Sequence, residues 1–160
     1  MSIRSKLAVA LALAASVAVI PASAQNYNLR PNYGTVNLRT GFARDPHVVN
    51  VRSGGNIDAS RINGNCRGFI SNAPDVRLNF VAGSRLPLII SVNSNADTTL
   101  IVNGPDGRWH CDDDSGRLGM NPSLRFNNVQ SGRYEIWVGT YGQRNVTAPA
   151  QVHISELTSQ

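Results

Sequence analysis

The sequence predicts an all-β domain, a jelly-roll-like antiparallel β-sandwich of about 8–9 short strands. Three observations carry that expectation. Short apolar runs alternate with a period of two, as in 133–138, where Tyr134, Ile136 and Val138 share one face and Arg133, Glu135 and Trp137 the other. Turn-forming clusters separate the runs: Ser53-Gly54-Gly55, Asn63-Gly64-Asn65, Ala82-Gly83-Ser84, Asn103-Gly104-Pro105-Asp106-Gly107 and Gln130-Ser131-Gly132. No stretch carries the apolar period of a long amphipathic helix.

Residues 1–24 read as a secretory signal peptide. Arg4 and Lys6 precede an apolar run from Leu7 to Ile20, and Ala22-Ser23-Ala24 supplies a small-residue cleavage site before Gln25. The run falls short of the ~20 residues that a membrane span needs, and no later run approaches that length. The expected product is a periplasmic or secreted chain without a membrane span. Residues 25–34 are polar, contain Pro31 and read as an extended leader; 35–160 form a single domain. Its candidate strands are 35–39, 47–52, 66–70, 76–81, 86–93, 98–103, 124–128, 133–140 and 150–156. In the last of these, Val152 and Ile154 face inward while Gln151, His153 and Ser155 face outward.

The whole chain carries a formal net charge of +5. Beyond Lys6 every positive side chain is an Arg, and the Arg residues are scattered singly. No basic run marks a nucleic-acid surface. Cys66 and Cys111 are the two cysteines. An even count in an oxidising compartment reads as one disulfide, against two free thiols or a metal pair. Zinc or copper held by His110 and Cys111 would compete with that bridge, and two Cys alone do not complete a zinc site.

The densest chemistry is the stretch Arg108 to Arg117, RWHCDDDSGR. Asp112, Asp113 and Asp114 place hard oxygens side by side near Asp106, a candidate calcium set. The spacing is not that of an EF-hand. The other reading is a solvated acidic turn neutralised by Arg108 and Arg117. Asp114-Ser115-Gly116 resembles the surroundings of a serine nucleophile, and His47, His110 and His153 are the available bases. The flanking residues differ from such enzymes, Asp113 and Arg117 standing where glycines would, and the chain is short for a double-barrel protease. No catalytic residue is therefore assigned. Trp109, Trp137 and Tyr141 lie close to this stretch in sequence and are candidate ligand-stacking aromatics.

The second half also resembles a known family. Leu100-Ile101-Val102-Asn103-Gly104-Pro105-Asp106-Gly107, then Asp112-Asp113-Asp114, then Leu124-Arg125-Phe126 and Ser131-Gly132-Arg133-Tyr134-Glu135-Ile136-Trp137-Val138-Gly139 follow one another as in the bacterial pre-peptidase C-terminal domain. The resemblance covers about 98–141. It implies a β-sandwich associated with substrate adhesion or calcium-stabilised structure in secreted proteases, although this chain has no attached catalytic domain. Gly41-Phe42, Asp45-Pro46, Gly54-Gly55, Cys66-Arg67-Gly68-Phe69-Ile70, Ala73-Pro74-Asp75 and Trp109-His110-Cys111-Asp112-Asp113 are similar to small stand-alone exported α-proteobacterial proteins that carry a serine-peptidase label. The expectation is an exported, non-catalytic binding or accessory module of the cell envelope, with a protein, peptide or polysaccharide ligand. A serine peptidase using Ser115 and a purely structural envelope protein are the competing classes.

Overall fold

The computed structural model describes residues 25–83 and 85–160. The signal peptide expected at 1–24 lies outside the described residues. The strands are β1 (Thr35–Arg39), β2 (His47–Gly54), β3 (Ile57–Asp58), β4 (Phe69–Ile70), β5 (Val76–Val81), β6 (Leu88–Asn93), β7 (Thr98–Asn103), β8 (Trp109–Asp112), β9 (Ser123–Phe126), β10 (Gly132–Thr140) and β11 (Thr147–Ser155). One sheet runs β2-β11-β6-β9. The other centres on β10, flanked by β7 and then β8 on one side, and by β5 and β4 on the other. The chain passes repeatedly from one sheet to the other, which is the wrap of a jelly roll. β1 adds a parallel edge strand beside β5.

Inward side chains of both sheets meet in one core that includes Leu78, Ile90, Leu100, Ile136, Val138, Val152 and Ile154. The alternation expected for β10 holds: Tyr134, Ile136 and Val138 enter this core. Its other face is also covered. Trp137 is fully buried with Ala59, Cys66, Ile70 and Ile101 beneath the segment that contains β3 and a 3-10 turn at Ala59–Arg61. The Cys66–Cys111 disulfide pins that segment to β8, with its Cα atoms 5.2 Å apart.

The leader turns instead of running extended, and it docks. Gln25 and Pro31 are buried, and the Gln25 amide donates to the Ser71 and Asn72 carbonyls. Arg77 reaches the Tyr27 and Leu29 carbonyls while its Nε lies 2.6 Å from Glu135 Oε1. Arg133 approaches the same oxygen at 3.0 Å. Burial raises the Glu135 carboxyl and the two guanidiniums oppose that shift.

Asp75 fills a gap in the ladder. β5 pairs with β10 as far as Val76 opposite Ile136, and β4 resumes only at Phe69 opposite Thr140. Between them the Val138 N–H donates to Asp75 Oδ2 at 2.8 Å, and the Asp75 N–H donates to the Ile136 carbonyl at 2.8 Å. Asn32 donates to Oδ1 at 3.2 Å. Burial outweighs these donors and pushes the Asp75 carboxyl up to about 7.

Two outcomes follow for stability. The bridge spans a sequence separation of 45, and a loop of that size is worth about 4 kcal/mol by chain entropy. Reduction, or Cys66→Ser with Cys111→Ser, should lower the denaturation midpoint by a corresponding amount, and intact mass should rise by two hydrogens on reduction. For Asp75, the folded state binds the proton more tightly than the unfolded chain, whose ordinary value is 3.8. Stability should therefore fall as pH rises from about 4 through about 7. Asp75→Asn should flatten that slope in urea melts; an unchanged slope would assign the pH dependence elsewhere.

Candidate functional site at the hairpin end

The Asn103-Gly104-Pro105-Asp106-Gly107 turn joins β7 to β8, two strands paired from Asn103 opposite Trp109 to Leu100 opposite Asp112. Gly107 adopts a φ of 75°, which a side chain would strain. Its N–H donates to the Gly104 carbonyl at 3.0 Å, and the Gly104 N–H donates to the Arg108 carbonyl at 2.9 Å. Asn103 reinforces the turn through its side-chain amide, 3.1 Å from the Gly107 carbonyl. Asp106 caps it, accepting from the Arg108 N–H at 3.0 Å, with Arg108 Nε 3.6 Å from its other oxygen. The tip leans on Gly132, where a Cβ would come within 2.8 Å of Pro105.

Two clefts flank this tip. One, of about 250 Å³, opens between the sheets and is lined by Asp106, Arg108, His110, Phe126, Gln130 and Tyr134, among others. His110 meets Phe126 edge-on at 5.0 Å, and Phe126 meets Tyr134 edge-on at 5.5 Å. The Tyr134 hydroxyl donates to the Gln130 carbonyl at 2.9 Å, which fixes the loop before β10. The second cleft, of about 350 Å³, lies on the outer side of the same hairpin, between Tyr27, Trp109, Ser131 and Arg133. The Arg133 guanidinium lies 5.9 Å from the centre of the Tyr27 ring and donates to Asn28 Oδ1 at 3.0 Å. Arg–aromatic stacking of this kind leaves guanidinium donors free for a ligand.

The structure separates the residues that the sequence places together. Trp109 lines the outer cleft, its ring 5.4 Å from Trp137. Trp137 itself is no surface platform: its face of β10 is roofed by the 57–66 segment, and it is fully buried. Tyr141 is half exposed at the opposite end of the sandwich, where its N–H donates to the Asp97 carbonyl. Asp106 belongs to the hairpin tip, and Asp112 ends β8, roughly 13 Å or more away at ~3.3 Å per residue.

Asp112 is a clasp between the sheets. Oδ2 accepts from the Ser115 N–H at 2.9 Å and from the Ser123 N–H, at the start of β9, at 2.8 Å. Oδ1 accepts from the Ser115 hydroxyl at 2.7 Å. Asp113 and Asp114 follow in the next turn, and the Asp97 carboxyl is raised by burial and then by their two charges. Asp106 thus lies apart from Asp112, Asp113 and Asp114, and both Asp112 oxygens accept hydrogen bonds within the clasp. Among the described residues no group of three or more His, Cys, Asp or Glu is arranged to hold a metal ion.

Ser115 donates to a carboxylate cap, not to an imidazole. His110 lies in β8 against Phe126, His153 is buried on β11, and His47 begins β2. The clefts escape a motif search because Tyr27 comes from the leader, far in sequence from the 126–133 stretch that supplies Phe126, Gln130 and Arg133 and from the 103–110 hairpin between them. The strong turn at 103–107 is the one sequence signal that points to them.

No family model and no curated protein matches the chain. Among solved structures it is similar to PliG of Aeromonas hydrophila, a periplasmic lysozyme inhibitor of g-type lysozyme. The identity is 15%, covering 76% of this chain and 96% of that one, with a TM-score of 0.39.

Asp112→Ala should cost roughly 2–3 kcal/mol, because it strands two backbone donors. Ser115→Ala removes only an exposed hydroxyl and should cost less than about 1 kcal/mol. Thermal melts of the two variants compare the clasp with its cap; equal effects would refute the clasp.

Proposed function

We propose that this protein is an exported, non-catalytic binding module of the cell envelope that engages a protein or peptide segment at its hairpin end. The carrying observation is the pair of clefts on either side of Gly104–Pro105. Together they offer an exposed aromatic ring, guanidinium groups at Arg108 and Arg133, a carboxylate at Asp106, and the His110 imidazole. Aromatic and Arg side chains are the groups that most often anchor protein interfaces. The tip is held by backbone hydrogen bonds and the clefts are formed in advance, so little ordering entropy opposes binding.

The non-catalytic part of the reading rests on Ser115. A serine nucleophile needs a base that accepts its proton and a third group that orients the base. Here the hydroxyl donates to Asp112. Export rests on the basic n-region, apolar run and cleavage pattern of residues 1–24. In the described residues no helix is long and apolar enough to cross a membrane.

A fluorophosphonate probe should leave the purified protein unlabelled; Ser115-dependent labelling would overturn the reading in favour of a hydrolase. A photo-crosslinking residue at Asn128, exposed on the rim of the inner cleft, should capture an envelope protein in cells, and capture should fall with Tyr27→Ala or Arg108→Ala. Self-crosslinking alone would instead favour the structural class.

A further inference from the structure

The outer face of the β2-β11-β6-β9 sheet carries several polar side chains in register, and the C-terminal segment roofs part of it. Outward residues fall in register. Gln151 on β11 lies opposite Asn50 on β2 and Asn93 on β6. The next rung is Val48, His153, Ser91 and, on β9, Ser123. The second rung is roofed by the C-terminal segment: the Gln160 N–H donates to the Ser91 hydroxyl at 3.1 Å, and the Ser159 hydroxyl donates to the Ser123 hydroxyl at 2.7 Å. Ser91 is fully buried and His153 is 8% exposed. The first rung is open. It floors a groove of about 320 Å³ walled by Ser94, Asn95 and Pro149.

The chemistry of this groove is specific. Gln151 donates its amide to Asn50 Oδ1 at 2.9 Å, which aligns the two side chains and leaves the Asn50 amide N–H pair outward. The Asn93 side chain makes no hydrogen bond to another described residue. On the adjoining rung His153 Nε2 is 3.5 Å from Gln151 Oε1, its Nδ1 is buried without a partner, and burial lowers its pKa, so the neighbouring imidazole adds no charge at neutral pH. No Asp, Glu, Lys or Arg lines the groove. The three amides span about 10 Å across three strands at ~4.8 Å spacing.

We propose that this rung is a second binding site, separate from the hairpin end, and that it takes a neutral polyhydroxylated chain, an oligosaccharide, across Asn50, Gln151 and Asn93. Side-chain amides both donate and accept, which matches vicinal hydroxyls that do the same. An anion or cation would lose hydration here without gaining a countercharge. A peptide adding to a sheet pairs along an open edge, whereas this rung crosses three strands and two of its residues, Gln151 and Asn93, lie on strands paired on both sides. The tail already seated on the adjoining rung shows what the face accepts: hydroxyl and amide groups, without ion pairs.

The test is titration of the exported protein, followed by NMR of side-chain amides. Probes are dextran oligomers, a soluble β-glucan and chitotetraose, with polygalacturonate and an uncharged Ser/Thr-rich peptide for comparison. The amide resonances of Asn50, Asn93 and Gln151 should shift with at least one neutral oligosaccharide and not with polygalacturonate. Asn93→Ala with Gln151→Ala should weaken that binding about tenfold or more, the loss expected for two hydrogen bonds, without changing the melt. Tyr27→Ala at the hairpin end should leave it unchanged. Failure of every neutral oligosaccharide to shift these amides overturns the proposal, as do equal affinity in the double variant and shifts with the peptide alone. Should the double variant fold poorly, the wild-type amide shifts still decide.

Discussion

The burial of both faces of β10 is the constraint on which the rest of the molecule depends. A strand with one wet face needs only one partner layer, but β10 is buried along nearly its whole length. Its inner face is closed by the β2-β11-β6-β9 sheet. Its outer face carries Trp137 and Glu135, a bulky indole and a carboxylate that cannot share one kind of cover. The indole receives an apolar roof from the segment 57–66, and the disulfide anchors that roof where the hydrophobic contact is small. The carboxylate receives Arg77 and Arg133, and the leader in turn closes over Arg77. The disulfide, the docked leader and the outer cleft are thus consequences of one two-sided strand.

Carboxylates in this cationic protein serve mainly as internal acceptors. Asp112 joins the ends of β8 and β9, and Asp75 stands in for a missing stretch of ladder. Asp45 accepts from the Ser155 hydroxyl and from the Glu156 N–H at 2.8 Å, tying the chain before β2 to the end of β11. Asp58 and Asp106 cap tight turns. Backbone N–H groups at sheet corners have no strand to pair with, and a short acidic side chain meets that need where an amide carbonyl cannot reach. The run of three Asp divides in the same way: the first serves the architecture, and the charges of the other two act on Asp97.

Most of the fold was legible because alternation survives in the strands that build the core. The expected 76–81, 98–103 and 133–140 coincide closely with β5, β7 and β10. The misreadings have local causes. The run 66–70 shortens to Phe69–Ile70 because Cys66 belongs to the disulfide-bonded roof and Gly68 turns the chain at a φ of 82°. The run 86–93 starts only at Leu88, past Pro87, which has no N–H to offer a ladder. Trp109–Asp112 reads as a loop, since Trp, His, Cys and Asp form no apolar pattern. It is a strand nonetheless, as Trp109 and Cys111 face the roof while His110 and Asp112 face the second sheet.

By itself the sequence determined the class of fold, the pairing of its two cysteines and the hairpin at Asn103–Gly107. Each of these depends on residues close together in the chain, or on a count that admits one pairing. Tertiary structure decided what those elements mean. It withdrew Trp137 from the surface, divided the four Asp between opposite ends of β8, and turned Ser115 towards a carboxylate. It also assembled the clefts and the amide rung from strands far apart in sequence. Register and roof are set by long-range packing, and a period of two cannot say which face will be covered or by what.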